Sequence, residues 1–154
     1  MQKIVPFLVF NNGRGAQALE FYASVFKDAN ISKKTLSPDG QLFMGTVQLH
    51  GQEFHAIDAP GENFQFSEGI SFMINCANAE EVDYFWERLV EDGGEHSMCG
   101  WLKDRFGVSW QVVPTLLGEL MQDPDPEKVD RVVQAMLKMQ KLDTAALQAA
   151  YDNA

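Results

Sequence analysis

GQEFH (51–55) and GVSWQ (107–111) sit 56 residues apart, each a glycine opening an extended run that carries an aromatic and then a polar side chain. Around these two segments the chain repeats itself. Residues 4–10 and 70–76 are short apolar runs bounded by polar or glycine residues, which read as buried strands. Each precedes an amphipathic helix. In the first half, residues 15–27 place Ala18, Phe21, Tyr22, Val25 and Phe26 on one face. In the second, Asn78 and Glu81 form a capping box ahead of Val82, Phe85, Trp86, Leu89 and Val90, with Gly93 and Gly94 expected to close the helix. A shift of 64 residues lays Leu8 on Phe72, Phe10 on Ile74, and Phe21 and Tyr22 on Phe85 and Trp86. An indel in the middle loops accounts for the change from 64 to 56.

The remaining strands follow the same plan. The first half offers residues 31–36, a turn at SPDG (37–40), and a hairpin of 42–49 with 52–58 around His50 and Gly51. The second offers extended stretches at 95–102 and 108–114, joined by a turn in which Asp104 and Gly107 supply ordinary turn chemistry. The pattern predicts an α+β fold of two tandem βαβββ modules, about 1–60 and 68–114, within a single domain spanning 1–154. After Pro114 the chain becomes helical. A short helix at 115–122, a break at 123–126, an amphipathic helix at 127–139 and a last helix at 143–151 make a C-terminal extension. The stripe of Val129, Val132, Val133, Met136, Leu137 and Met139 must dock either on its own sheet or on a partner subunit.

Composition narrows the functional classes. With 45% hydrophobic residues, eleven phenylalanines and three tryptophans in 154 residues, the chain can bury a sizeable core. Its formal net charge of −10 argues against nucleic acid and anionic membrane surfaces, which repel an acidic protein. Cys76 and Cys99 are too few and too isolated for a disulfide framework or a zinc site, and read as reduced thiols. No leader pattern and no apolar run approaching the roughly 20 residues of a bilayer span is evident, so a cytoplasmic location is expected.

GISFMINC (69–76), EVDYFWERL (81–89), GWLKDRFGVSWQVVP (100–114) and AMLKMQKLD (135–143) resemble the 3-demethylubiquinone-9 3-methyltransferase-like, or PhnB-like, group. That group belongs to the vicinal-oxygen-chelate superfamily of glyoxalase, bleomycin-resistance and dioxygenase proteins. The resemblance implies an eight-stranded, two-module architecture completed in a homodimer. Methyl transfer is not expected, because the common S-adenosylmethionine fold needs a doubly wound parallel sheet and a glycine-rich loop. The Asn11-Asn12-Gly13-Arg14-Gly15 cluster lacks that loop's pattern.

The resemblance also implies four inward-pointing ligand positions, on the first and last strand of each module. Aligning the halves puts the last-strand positions at His55 and Gln111 and the first-strand positions near Pro6 and Ile70, with Ser71 on the opposite face. Pro6 and Ile70 offer no side-chain donor, and two neutral ligands hold a hard cation poorly. No metal or other cofactor is therefore expected, His55 and Gln111 being the weak candidates for a divalent ion. Both are expected instead to line a pocket, facing one another across its mouth, with Trp101, Ile57 and Phe72 as further walls. Trp101 pairs near Ser109 in this register, while Trp110 points to the helices; His50 and His96 read as surface residues. The resulting expectation is a dimeric, metal-free module holding a small organic molecule. The alternative is a divalent-metal lyase, isomerase or dioxygenase of glyoxalase type.

Overall fold

A computed structural model of the protein describes residues 2–154. Two compact units emerge, 1–65 and 66–154, each built on a four-stranded mixed sheet with one helix laid against it. The duplicated βαβββ pattern is present in both.

In the first unit β1 (Phe7–Phe10), α1 (Gly15–Val25), β2 (Asn30–Leu36), β3 (Leu42–Leu49) and β4 (Gln52–Asp58) give a sheet ordered β1-β4-β3-β2. β1 runs parallel to β4, the crossover passing through α1, and the other pairs are antiparallel hairpins. The apolar period of α1 buries Ala18, Leu19, Phe21, Tyr22 and Val25 against Leu8, Phe10, Val47, Phe54 and Ala56 of the sheet. Gly45 permits close approach here, since a Cβ at that position would fall 2.3 Å from Leu19 Cδ1. Asp58 closes the far end of the unit. Its Oδ1 accepts from Gly15 N at 2.8 Å, opening α1, and its Oδ2 accepts from Leu42 N at 2.7 Å, opening β3.

The second unit repeats the plan with β5 (Phe72–Cys76), α2 (Ala79–Arg88), β6 (Glu95–His96), β7 (Trp101–Lys103) and β8 (Ser109–Pro114), ordered β5-β8-β7-β6. Asn78 caps α2 by accepting from Glu81 N at 2.9 Å, while the Glu81 carboxylate accepts from Ala77 N at 2.8 Å. The helix stops at Arg88, before Gly93 and Gly94, and residues 89–93 continue as turns. Cys76 lies at the end of β5 with no exposure, and that burial pushes its thiol up to about 11 from the usual 9.0. Its thiolate is therefore disfavoured in the fold but free to form in the unfolded chain. The sign follows: stability is intact below pH 9 and falls as pH rises from 9 towards 11. Urea unfolding at pH 8 and pH 10 should show a loss that is smaller in Cys76→Ala.

The helical extension docks on its own unit. It comprises α3 (Thr115–Leu120), α4 (Pro126–Met136) and α5 (Thr144–Asp152). Asp125 and Asp143 cap the last two helices, and Leu117, Leu120, Val132, Leu142 and Leu147 form their shared core. Arg131 donates from Nε to Ala150 O at 2.9 Å and from Nη2 to Tyr151 O at 2.8 Å, satisfying carbonyls at the end of α5. The α4 stripe is narrower than its sequence suggests: Val132 is buried, but Leu137 is exposed. Cys99 N and Gly100 N donate to Met139 O and Gln140 O, each at 2.8 Å, and Lys141 donates to Asp83 of α2 at 2.7 Å.

Candidate functional site

The hairpin of β7 and β8 is pinned by one buried carboxylate. Asp104, 2% exposed, accepts from Phe106 N at 2.9 Å, Val108 N at 3.0 Å and the indole Nε1 of Trp110 at 2.9 Å. Three donors converging on one anion fix both the turn and the Trp110 ring. The turn reading of Asp104 thus holds, with an added bond six residues on that links the turn to the core.

The hairpin's register decides which side chains share its open face. Trp101 pairs with Gln111, and Lys103 with Ser109 and Glu95. Trp101 does not pair near Ser109, as the sequence suggested; the slip is two residues, so its face is unchanged. Trp101 is half-buried and shares the Gln111 face, whereas Trp110 is buried on the other. An open cleft of about 490 Å³ lies at this end of the unit, and Trp101, Lys103, Ser109 and Met98 are among its lining. His96 also lines it. Rather than standing free at the surface, its ring stacks on Trp86 at 4.1 Å and 3°, with Nε2 donating to Trp86 O at 2.8 Å.

Pairing in the parallel strands corrects the first-strand positions. Phe7 lies opposite His55, and Met73 opposite Gln111, so the strand equivalence between halves is 66 residues rather than 64. Pro6 precedes β1, where its carbonyl accepts from His55 N at 2.9 Å, and Ile70 precedes β5. Ser71 is on the Gln111 face, contrary to expectation: its hydroxyl accepts from Gln111 Nε2 at 2.9 Å. Phe72 is paired with Trp110 and packs on that ring at 5.4 Å, so it stands on the face opposite Gln111 and Trp101.

In the first unit His55 and Ile57 share one sheet face, two residues apart on β4. His55 Nε2 lies 2.6 Å from Oε1 of Glu53, and the ring meets Phe7 edge-on at 6.1 Å. Glu53 reaches His55 because i and i+2 on a strand share a face. His50 behaves as its turn position suggests, exposed and 3.1 Å from Asp28 Oδ2.

A divalent ion of the kind the superfamily implies does not fit these donors. The residues across from His55 and Gln111 are Phe7 and Met73, one without a donor and the other a soft thioether. Glu53 is turned to His55 and Gln111 to Ser71, and no group of three His, Cys, Asp or Glu suited to a metal occurs among the described residues.

Comparison with known proteins agrees with the fold. Residues 2–113 match the family model described as 3-demethylubiquinone-9 3-methyltransferase, which leaves the helical extension outside the match. A putative 3-demethylubiquinone-9 3-methyltransferase, PhnB protein, from Bacillus cereus is 33% identical, with 73% of this chain and 99% of that one covered at a TM-score of 0.69. A protein from Pseudomonas aeruginosa is 23% identical over 74% and 98% of the two chains, at 0.64. The fold is also that of the fosfomycin resistance protein FosX from Listeria monocytogenes, 16% identical over 79% and 98%, at 0.55; that protein is also known complexed with Mn(II). No match is found among curated proteins. The chain belongs to the 3-demethylubiquinone-9 3-methyltransferase (PhnB-like) family of the vicinal-oxygen-chelate superfamily.

Proposed function

We propose that this protein binds a small organic molecule in the cleft of the second unit, without a metal ion. The observation that carries the reading is the cleft itself, about 490 Å³ with the half-buried Trp101 ring in its wall and Lys103 and Ser109 beside it. A concave site with an aromatic surface and a few polar groups is the usual form of a small-molecule site. The misfit of the donors around His55 and Gln111 supports metal-free binding. The mixed sheets, each with a single parallel pair, differ from the doubly wound parallel sheet of the common methyltransferases, so methyl transfer forms no part of the proposal.

The Glu53–His55 pair favours a second reading, an enzyme of glyoxalase type in which His55 handles a proton or an ion. It is secondary because only two groups of suitable chemistry meet there. A homodimeric, cytoplasmic module is part of the main proposal; no described helix is long and apolar enough to cross a membrane.

A ligand-observed NMR screen of small aromatic compounds tests the main reading. Hits are expected to bind about tenfold more weakly to Trp101→Ala, with no change on treatment with EDTA. Absence of any hit, or equal binding to the Trp101 variant, would falsify the assignment of this cleft.

A further inference from the structure

We infer that the cleft of the second unit takes an organic cation, an ammonium group carried on a flat apolar body. This rests on the proposal that the cleft is a binding site and names the class of its ligand.

Three features of the lining converge. Glu68 and Glu95 both line the cleft, and neither carboxylate has a hydrogen bond or ion pair among the described residues. Lys103 stands directly across the strand pair from Glu95, which offsets its charge and leaves Glu68 without a counter-charge. An entering anion would meet the uncompensated Glu68 carboxylate, whereas an entering cation gains from it. The second feature is the Trp101 indole, whose face attracts a desolvated cation. The third is independent of charge. Ser109 lines the cleft, is only 2% exposed, and makes no side-chain hydrogen bond among the described residues. Its hydroxyl is not sealed from solvent and, without a partner among the described residues, stands as a free acceptor for an ammonium N–H entering the cleft. The His96 imidazole is already committed, since its Nε2 donates to the Trp86 carbonyl. The formal net charge of −10 adds a field that draws cations to the surface at low salt.

Three probes of one shape separate the possibilities: benzylammonium, benzyl alcohol and benzoate, titrated while Trp fluorescence and amide NMR shifts are followed. Benzylammonium is expected to bind tightest, with a response that disappears in Trp101→Ala. Glu68→Gln and Glu95→Gln should each weaken benzylammonium about threefold, the usual worth of a partly exposed charge pair, and leave benzyl alcohol unchanged. Ser109→Ala should weaken benzylammonium more than it weakens benzoate. Tighter binding of benzoate, equal binding of all three, or indifference to both Glu→Gln changes overturns the cation assignment while the cleft survives as a site. No Trp101-dependent response to any probe overturns the cleft as well.

Discussion

Asp104→Ala is expected to destabilise the protein by about 3–5 kcal/mol, the cost of removing one partner from a buried, charge-assisted cluster. The carboxylate serves three donors at once, Phe106 N, Val108 N and Trp110 Nε1. Alanine leaves all three in a place that solvent does not reach, Asp104 itself being 2% exposed. Asp104→Asn gives a graded comparison. Its oxygen can still accept from the two backbone amides, but its NH2 group would then face the indole N–H, donor against donor. A loss of about 2–3 kcal/mol is expected for that variant. Urea unfolding followed by Trp fluorescence reads both numbers. A loss below about 1 kcal/mol for alanine would show that the turn holds without its carboxylate. The same change should loosen the cleft, because the hairpin that Asp104 closes is what sets Lys103 opposite Ser109.

The sequence was most legible where one face of a strand is buried and a tight turn sets the register. β3 and β4 fall at 42–49 and 52–58, as read, because alternation and the His50-Gly51 turn agree. β1 was overrun. Residues 4–6 look as apolar as those that follow, yet Ile4 is 87% exposed, and pairing begins only where β4 supplies Phe7 with a partner in His55. Partner choice is a tertiary fact that an apolar run does not encode.

The faces of β7 and β8 were legible in the sequence, whereas those of β5 and the rows of both first strands were not. The helices of the two halves correspond at a shift of 64, Tyr22 on Trp86, but the first strands correspond at 66. An even error keeps a residue on its face, so Trp101 shares the Gln111 face despite a register slip of two. Pro6 and Ile70 lie one and three residues before Phe7 and Met73, the true partners of His55 and Gln111, and an odd offset of this kind changes the face, so Phe72 stands on the one opposite to that of Gln111. The cleft itself depends on residues 97–100, where a strand was expected to run unbroken. Cys99 and Gly100 are both left-handed there, with φ of 57° and 81°, which splits the stretch into β6 and β7.

Gly100→Ala should be the second severe change, costing about 3 kcal/mol and releasing the helical extension. A left-handed residue with a Cβ costs about 1 kcal/mol by itself. Here the added carbon would also lie 2.7 Å from Val112 O on β8 and 2.9 Å from Leu142 Cδ1 in the extension. The strand carbonyl is fixed by its ladder, so the side that yields is the extension, where Leu142 is part of the shared helical core. Yielding would break the paired bonds from Cys99 N and Gly100 N to Met139 O and Gln140 O, which tie the cleft wall to residues 139–142. Amides in 115–154 should then exchange faster with solvent than those of β8, and cleft binding should weaken because Met98 and Trp101 flank Cys99 and Gly100, which lose their bonds to the extension. Leu142→Ala removes the same contact by leaving a cavity, at about 2–4 kcal/mol without backbone strain. Combining the two tests the cause. If the clash with Leu142 dominates, the double variant loses less than the sum of the singles by 1 kcal/mol or so. Simple additivity would instead assign the loss to Val112 O and the left-handed backbone, and the extension would then keep its protection in Gly100→Ala alone.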